Sequence, residues 1–574
     1  MSKLEKIVYD ILDKKSKKTL VIVLTALAFF GSLMMFPTKI VLLKMLPGKS
    51  ANTFSVYVDT PSGSSIEQTK QMSSCVIDIL KKEKEVVNIS LFLAQGIPLD
   101  YAGLVKGSGM KRTENVSEIL VNLTDKHNRN EPSFMMTHRL RPIIKETCLP
   151  KLPGTNIKLV EQPAGPPTLA SIVVEVHGDN LDKIRTISTK AAQILGKTDG
   201  LVDIDIMADE IFSKYELVPD KEKIARSGLS VKQVNNILYL AFEGMVIAHK
   251  NSNNSPDQID MFLVLEKESK SLSSSKVESL QSKLSSLNLM NMKGMMVPMS
   301  EVVTLRKVDS NPMIMHKNLS RMVNVIAETD KVSQLYPLLE ARDVMLEEFS
   351  KEYEVEKEPG ITTYMFDLHL TDKKTGEKFL VRWDGEMKVT LDTFRDLGGA
   401  FISALILIFL LLVIYYKSFT ISGIVLLGSF LSLIGVIVGH WVANFFTSET
   451  FFLTSTSLIG FIALIGISSR NSLLLIDFAK SLMEYHGMTK RRAISVAVVT
   501  RAKPIALTAV AIILGSALLA GDPIFGGLGV ALISGTVAAV FVSLLFVPVL
   551  MDNSKAMDFE PVTDGHHDSI SITK

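Results

Sequence analysis

Apolar residues are distributed very unevenly along this chain. One apolar stretch, 19–36, precedes a long region of mixed polarity, and five more follow it, at 399–416, 419–440, 452–479, 502–520 and 527–551. Each approaches or exceeds the ~20 residues with which a helix crosses the ~30 Å hydrocarbon core of a bilayer. The pattern predicts six transmembrane helices, with a large module between the first and the second.

The module shows the alternation of strands and helices that is typical of α+β folds. Phe54–Asp59 alternates apolar and polar positions as a half-buried strand does. Ser64 with Glu67 has the spacing of a capping box, which predicts a helix that begins there and runs to about Lys82. Further strands and helices are predicted at Val86–Leu91, Val116–Leu123, Ser133–Glu146, Ile157–Glu161, Ser171–Val176, Leu181–Leu195, Val202–Met207, Met322–Ala327 and Ser333–Phe349.

Repeated βαβ units with short links favour ferredoxin-like α+β subdomains. The stretch 226–319 differs, because Gly228-Leu229-Ser230 begins a helix and a Ser-, Lys- and Asn-rich segment follows at 249–258. The predicted organisation has the following parts: an N-terminal segment 1–18, a transmembrane helix 19–36, a first subdomain 37–168, a second subdomain 169–225 with 320–368, an insert 226–319, a return segment 369–398, five transmembrane helices 399–551 and a tail 552–574.

Basic residues indicate which side of the membrane each part faces. They cluster in two places, at Lys3, Lys6, Lys14, Lys15, Lys17 and Lys18, and at Lys480, Lys490, Arg491, Arg492, Arg501 and Lys503. By the positive-inside rule both clusters are cytoplasmic, so the tail is cytoplasmic as well and the module lies outside the inner membrane. No small-residue cleavage site follows the first span, so we expect an anchor and not a signal peptide.

The composition fits a chain that is partly in the membrane and partly outside it. Hydrophobic residues make up 47% and the mean hydropathy is +0.27. A formal net charge of +2 argues neither for nor against a nucleic-acid partner, and we expect none. Cys75 and Cys148 both fall on predicted helices of the module. We expect two buried free thiols, with a disulfide as the alternative.

Arg470 is the most informative polar residue, because it lies within an apolar span beside Ile467 and Leu473. A charge in hydrocarbon costs several kcal/mol, so such residues usually face a bundle interior and have a function. Arginine keeps its charge at any physiological pH, so Arg470 would be a fixed counter-ion for carboxylates on another chain. The alternative is a side chain that reaches the membrane interface. A large external module and a charge within a span together indicate an ion-coupled transporter.

Other polar residues lie near Arg470. Asn471 and Ser472 follow it directly, and Asp477 is two turns further along the same predicted helix. Asp477 would pair with a basic residue or line a proton exit, or it would be a partly hydrated acid at the helix end.

Methionines cluster at Met290, Met292, Met295, Met296 and Met299. Thioethers bind soft monovalent metal ions, but a pliable apolar patch beside a β-turn is the preferred interpretation. The sequence has no Walker loop, Gly-rich dinucleotide turn, HExxH motif or nucleophile elbow, so we expect no enzyme activity and no cofactor.

A series of short motifs resembles the C-terminal half of the resistance–nodulation–division (RND) efflux permeases. The matching segments are Leu46-Pro47, Pro61–Thr69, Gly178–Leu181, Gly228–Val231, Val297–Val302, Val381–Glu386, Ser469–Phe478, Arg501–Ile505 and Asp522–Phe525. Their order and spacing cover most of the chain. In this family each of two tandem halves has one span, a large periplasmic module and five further spans.

The resemblance implies half of a proton relay. The family's pair of proton-binding aspartates lies on the fourth span of the first half, which has no counterpart here. Arg470 matches the basic residue of the second half, and Arg501 and Thr508 match residues on the next-to-last span. Thr508 would belong to the relay or would only bond to its own helix.

The family also implies a function, partners and a location. It implies export of amphipathic or lipophilic compounds in exchange for protons, together with a first-half permease chain that supplies the aspartates. The expected further partners are a periplasmic adaptor and an outer-membrane channel, in a trimeric assembly in the bacterial inner membrane. The two subdomains would be porter subdomains and 226–319 a docking subdomain. The first porter subdomain lacks the Gly-Arg-Ala-Glu-Thr-Ala type motif of the metal-exporting branch, which favours the drug-exporting type.

Two alternatives stay open. The chain would be a non-transporting scaffold or a truncated remnant of such a permease. Otherwise it would be a self-sufficient homodimeric transporter or a metal-ion exporter. The homodimer is conceivable because the family's halves are related by a pseudo-two-fold axis. In a homodimer two Arg470 side chains would face each other without a carboxylate at matching depth, which is electrostatically unfavourable.

Overall fold

The computed structural model describes residues 3–560 except positions 49, 99–102, 104–105, 107, 109–110, 162–164, 166–167, 209, 255, 267–276, 331, 361–363 and 448–449. The end of the predicted tail, 561–574, therefore lies outside the described residues. The chain divides into two compact units. The first comprises Met1–Ala208 with Ile314–Lys574, and the second is Asp209–Met313.

Helices and strands alternate in the first two thirds of the chain, and long helices follow. The helices are α1 (Lys3–Asp13), α2 (Lys15–Met34), α3 (Ile66–Leu80), α4 (Ser133–Cys148), α5 (Leu181–Lys197), α6 (Lys221–Arg226), α7 (Val231–Phe242), α8 (Val277–Ser286), α9 (Met299–Val302), α10 (Leu335–Ser350), α11 (Glu386–Tyr416), α12 (Phe419–Phe430), α13 (Leu433–Ala443), α14 (Ser455–Glu484), α15 (Lys490–Ala520), α16 (Gly526–Phe541) and α17 (Val547–Asn553).

Every strand in the described parts of the chain lies between the first two long apolar helices. The strands are β1 (Thr53–Asp59), β2 (Val86–Leu93), β3 (Val116–Leu123), β4 (Asn156–Glu161), β5 (Ile172–Gly178), β6 (Leu201–Met207), β7 (Ser213–Pro219), β8 (Met245–Lys250), β9 (Ile259–Leu263), β10 (Asn288–Met290), β11 (Met296–Pro298), β12 (Val303–Asp309), β13 (Met315–Lys317), β14 (Ser320–Thr329), β15 (Tyr353–Lys357), β16 (Leu368–Asp372) and β17 (Lys378–Asp384).

The first sheet has the strand order β2-β3-β1-β4, and all neighbouring strands are antiparallel. Helix α3 connects β1 to β2 and helix α4 connects β3 to β4, which is the βαββαβ arrangement of ferredoxin-like folds. The capping box of α3 is made by Ser65 and Gln68. The prediction of Ser64 and Glu67 was therefore wrong by one residue, because Ser65 is the last extended residue before the helix.

Cys75 of α3 and Cys148 of α4 form a disulfide, with their Cα atoms 6.0 Å apart. The expectation of two free thiols was wrong. Both residues are buried in the same core, together with Met72, Met136 and Leu140, and the two helices contact each other there. This proximity does not follow from the sequence, since 73 positions separate the two cysteines.

The second sheet has the order β13-β14-β5-β17-β16-β15, and β6 pairs with the edge of β14 opposite to β5. The prediction that 369–398 is a segment returning to the membrane was wrong, because β16 and β17 belong to this sheet. Strand β17 pairs with β5 through Val381–Val176 and Trp383–Val174, so residues up to Asp384 belong to this subdomain. The alternation of Phe379, Val381 and Trp383, all buried, explains why the segment packs on the core and does not lead directly to the membrane.

The second unit begins before the predicted insert. Strands β7 and β12 pair along their whole length, from Ser213–Asp309 to Pro219–Val303, and both lie in Asp209–Met313. The bounds 226–319 were therefore displaced at both ends. A core of Ile224, Leu229, Val234 and their neighbours holds α6 and α7 together. Ser230 and Gln233 form the capping box of α7, at the position where the sequence predicts a helix start.

Six helical segments of the described residues are long and apolar enough to cross a membrane, by length and composition. They are Lys15–Leu33, Glu386–Tyr416, Phe419–Ala443, Ser455–Glu484, Lys490–Ala520 and Gly526–Asn553. The third is divided into α12 and α13 at Leu431-Ser432, and the sixth contains a π-helical turn at Val542–Phe546. Helix α11 begins at Glu386, well before the predicted start at 399.

Small residues bring three of these segments close together. A Cβ atom at Gly435 of α13 would lie 2.4 Å from the Ser534 carbonyl oxygen of α16, and one at Gly535 would lie 2.2 Å from Leu464 of α14. Close backbone approach through small residues is the usual way in which membrane helices associate. Helices α13, α14 and α16 therefore form a tightly packed centre.

Candidate functional site

Arg470 lies near the middle of α14, and its side chain is exposed on the surface of the isolated chain. It belongs to a stripe with the periodicity of a helix face, made of Ile459, Ala463, Gly466, Arg470 and Leu474, all exposed. A Cβ atom added at Gly466 would meet nothing within 4 Å. No carboxylate of a described residue lies within 4.0 Å of the Arg470 guanidinium. The charge thus lies mid-span on a face that none of the described residues covers.

The opposite face of α14 is buried and polar. Ser468, Ser469, Asn471 and Ser472 are all buried among the neighbouring helices. The hydroxyls of Ser468 and Ser472 have no hydrogen-bond partner among the described residues. Asn471 therefore follows Arg470 in sequence but faces the interior, whereas Arg470 faces outward.

Asp477 bonds to two tyrosines at the end of α11. Tyr416 donates a hydrogen bond of 2.8 Å to Oδ1 of Asp477, and Tyr415 donates one of 3.3 Å to Oδ2. Seven residues of helix separate Asp477 from Arg470, which corresponds to about 10 Å along the axis. The structure therefore does not bring these two charges together, and it gives Asp477 phenolic partners where the sequence suggested a basic residue.

Arg501 and Thr508 lie on α15, which runs antiparallel to α14. The Arg501 guanidinium stacks on the Phe478 ring at 4.8 Å, and its Nε atom is buried without a partner among the described residues. Thr508 follows Arg501 by two turns of α15, and Asn471 precedes Phe478 by two turns of α14. Because the two helices are antiparallel, both steps lead in the same direction across the membrane. Thr508 therefore lies at about the depth of Arg470.

The Thr508 side chain is committed to its own helix. Its hydroxyl donates to the carbonyl oxygens of Pro504 at 3.1 Å and Ile505 at 2.9 Å, the local bonding that was one of the two sequence-based alternatives. The side chain itself is exposed, as is that of Arg470. Of the five predicted site residues, Arg470 and Thr508 thus lie at about the same depth with exposed side chains, whereas Asn471 and Asp477 contact this chain's own helices.

Sequence reasoning missed His440, which is buried at the end of α13. Its Nδ1 lies 2.7 Å from the Val436 carbonyl oxygen, and its Nε2 lies 2.8 Å from Ser457 Oγ. A carbonyl oxygen only accepts, so Nδ1 carries the proton and Nε2 accepts from the serine. The sequence feature that could have identified His440 is its position in an apolar span, because ionisable residues are uncommon within membrane helices.

A partly buried charge network lies in the module. Lys158 of β4 contacts Asp59 Oδ2 at 2.7 Å and also pairs with Asp205 of β6, while Lys111 lies 3.2 Å from Asp59 Oδ1. Burial alone would raise the pKa of Asp59, but Lys158 and Lys111 outweigh it and lower the pKa to about 2. The network joins the first subdomain to the second through charges that must remain paired.

Comparison with known proteins gives a family match along almost the whole chain. A family model described as the AcrB/AcrD/AcrF family matches residues 2–357 and 368–552. The chain is 24% identical over 526 residues to the multidrug export protein AcrF of Escherichia coli strain K12, covering 88% of this chain and 45% of that protein. It is 23% identical over 476 residues to the cobalt-zinc-cadmium resistance protein CzcA of Cupriavidus metallidurans, covering 79% of this chain and 40% of that protein.

Solved structures give the same result for the fold. A crystal structure of a heavy metal efflux pump matches with a TM-score of 0.69 at 18% identity, covering 96% of this chain and 51% of that chain. A second crystal form of such a pump gives 0.68 at 17% identity. The chain therefore spans about half the length of the relatives and structures that it matches.

Proposed function

Since this chain belongs to the AcrB/AcrD/AcrF family of permeases, we propose that it is a half-permease of a proton-driven efflux pump. A second chain, equivalent to the first half of the longer relatives, supplies the carboxylates that bind protons. The pump exports amphipathic or lipophilic compounds from the bacterial inner membrane, and the module between the first two spans lies in the periplasm.

The exposed stripe around Arg470 is the observation that carries this proposal. Ala463 and Gly466 are small, so a helix of another chain can approach α14 closely there. A partner carboxylate at the depth of Arg470 would neutralise a charge that is costly in hydrocarbon. Arg470 is then the fixed pole, and the charge of the site changes only when the partner carboxylates bind or release protons.

The other relay residues have supporting roles in this proposal. Thr508 lies at the depth of Arg470, and Arg501 stacks on Phe478, the residue that follows Asp477. Asp477 with its two tyrosines then forms the cytoplasmic end of the path, and Asn471 connects Arg470 to the buried polar face of α14.

The disulfide supports the placement of the module outside the cytoplasm. Disulfides persist in oxidising compartments such as the periplasm and are uncommon in the bacterial cytosol. Cys75 and Cys148 both lie in the first subdomain. By family resemblance, the second unit docks toward an outer-membrane channel or a periplasmic adaptor, and three copies of each half form the assembly.

Two classes of substrate are candidates for export, amphipathic compounds and metal ions. CzcA and the heavy metal efflux pump favour a metal ion as a second candidate, although at 23% and 18% identity. No group of three or more His, Cys, Asp or Glu side chains that could hold a metal ion lies within the described parts of the chain. We therefore propose amphipathic compounds as the substrate and metal ions as the alternative.

Reconstitution tests the proposal. The purified chain alone, in liposomes with an imposed pH gradient, is expected not to move a fluorescent lipophilic amine, because it has no intramembrane carboxylate pair. Liposomes that also contain the first-half chain co-purified from native membranes are expected to do so. Full proton-dependent transport by the single chain would contradict the half-permease, and a stable pair that moves no substrate would support the scaffold alternative.

A further inference from the structure

Four methionine side chains are exposed together at the tip of one hairpin in the second unit. Met290 and Met296 are exposed by 63% and 62%, Met295 by 57% and Met292 by 95%. Methionine is normally a core residue that fills irregular apolar gaps. Met299, the fifth member of the cluster, behaves in that way and is fully buried. The other four are exposed at the turn, where the sequence favoured a pliable apolar patch and offered a soft-metal site as the alternative.

Strand register places two of these side chains on one face. Met290 of β10 is directly opposite Met296 of β11, and Leu289 is opposite Val297. Directly opposite residues of an antiparallel pair project to the same face, and successive pairs alternate between faces. Leu289 and Val297 pack against the core of the unit. Met290 and Met296 therefore project together away from the core.

The turn between the strands is held in place by Asn291. This residue is buried, and its side-chain oxygen accepts hydrogen bonds from the backbone of Lys293 at 2.9 Å and of Met295 at 3.0 Å. Its side-chain nitrogen donates to the Ser227 carbonyl oxygen at 2.9 Å. Gly294 takes a left-handed conformation, with φ of 79°. An ordered turn thus presents Met292 and Met295 beside the Met290–Met296 pair.

The chemistry of this tip selects one class of ligand. Between Ser286 and Ser300 the sequence has no Asp, Glu, His or Cys, so thioether sulfur is the only side-chain metal ligand apart from weak amide oxygens. Thioethers bind soft ions and are poor ligands for hard divalent cations. Lys293 adds a positive charge within the turn, which disfavours a divalent ion more than a monovalent one.

We propose that Met290, Met292, Met295 and Met296 form a thioether site for a soft monovalent metal ion, Cu(I) or Ag(I). The hairpin carries the four thioethers within positions 290–296, and the fixed turn limits the entropy that binding has to remove. This site does not depend on the proposed export function, since it lies in the second unit and uses no residue of the membrane helices.

Silver titration of the purified full-length chain in detergent tests the site, in chloride-free buffer, with the bound ion measured by calorimetry and by elemental mass spectrometry after desalting. The wild-type chain is expected to bind one tight equivalent of Ag(I). The double variant Met290→Leu/Met296→Leu keeps the apolar volume and is expected to lose that equivalent, with affinity weaker by about tenfold or more. Circular dichroism should confirm an unchanged fold.

Two matched controls separate this site from other soft ligands. Met245→Leu/Met261→Leu alters two exposed methionines of the β8–β9 hairpin in the same unit and should leave Ag(I) binding unchanged. His566→Ala/His567→Ala removes the paired histidines of the tail and should also leave it unchanged. Lys293→Ala should tighten binding, because it removes a like charge from the turn. Equal binding by wild type and Met290→Leu/Met296→Leu, or no tight equivalent in wild type, would overturn the proposal.

Discussion

Arg470 carries a permanent charge half-way along α14 on an uncovered face, and its substitution tests the relay. In the assembled pump, removing one member of a buried ion pair leaves the other uncompensated, at a cost of roughly 3–5 kcal/mol. Arg470→Ala should therefore abolish proton-driven efflux while the amount of membrane-inserted chain stays nearly unchanged. Arg470→Lys should retain partial efflux, because it keeps the charge but loses the planar fork.

The measurement is efflux of a fluorescent amphiphile under an imposed pH gradient, normalised to the inserted protein. Lys480→Ala is the matched control, because Lys480 is on the same helix but near its end, 3.7 Å from Glu484. Lys480→Ala should have little effect on efflux. Wild-type efflux by Arg470→Ala would mean that Arg470 is a structural or interfacial residue.

Asp59 should make the module sensitive to acid. Its folded-state pKa of about 2 is below the ordinary value, so its contribution to stability is present above about pH 4 and is lost as the pH falls toward 2. That contribution is about 2 kcal/mol. The thermal midpoint of the purified chain should fall between pH 5 and pH 3 in wild type, and Asp59→Asn should lower the midpoint at pH 6 and weaken this pH dependence.

Asp78→Asn is the control for that experiment, since Asp78 is exposed on α3. It should follow the wild-type curve. If Asp59→Asn also followed the wild-type curve, the pairing of Asp59 with Lys158 and Lys111 would contribute nothing to stability.

At the residue scale, the sequence predicts depth well and orientation poorly. The position of Arg470 within a span follows from its apolar neighbours. Its outward direction does not, because which face of α14 is covered depends on the distant helices that pack against it. Thr508 shows the same limit, since the sequence allows either a role in the relay or a bond to its own helix, and the bond is seen only in the structure.

At the scale of elements, the close contact between α13 and α16 should be sensitive to a single methyl group. A Cβ atom at Gly435 would lie 2.4 Å from a backbone oxygen and 2.5 Å from Ala538, and backbone cannot move aside cheaply. Overpacking of this kind costs about 1–3 kcal/mol. Gly435→Ala should lower the thermal midpoint of the detergent-solubilised chain by several degrees, as followed by gel filtration after heating.

Gly423 is the matched control, because it lies in the same apolar segment and a Cβ atom there would meet nothing within 4 Å. Gly423→Ala should leave the midpoint unchanged or raise it slightly, since alanine favours the helix. Equal midpoints for the two variants would mean that α13 and α16 do not approach as closely as described.

Local periodicity predicts elements and not their partners. The strands and helices of the first subdomain follow from alternation and caps, and most of their bounds agree to within two residues. Strands β16 and β17 were missed as part of the second sheet, because β17 pairs with β5, which is distant in sequence. The disulfide was missed for the same reason, since only the packing of α3 on α4 brings its cysteines together.

At the scale of the whole molecule, the side of the membrane on which each part lies can be measured directly. Asn253→Cys in the second unit should react with an impermeant thiol reagent in intact spheroplasts, whereas His486→Cys between the fourth and fifth spans should react only after lysis. Both residues are exposed.

The native cysteines form a disulfide, so their background reactivity should be low. The opposite labelling pattern would place the module in the cytoplasm and remove the basis of the proposed function. Labelling of both positions without lysis would contradict the count of spans between them.

The interruption of the second subdomain has a consequence for the order in which the newly made chain folds. The first sheet is complete once β4 has emerged, because all its strands lie in one continuous stretch. The apolar strand β5 must wait for β17, about 200 residues later. At 5–20 residues per second this interval lasts roughly 10–40 s. Both edges of β5 are unpaired until β14 emerges, and one edge remains unpaired until β17 follows, so holding chaperones should matter most to this subdomain during synthesis.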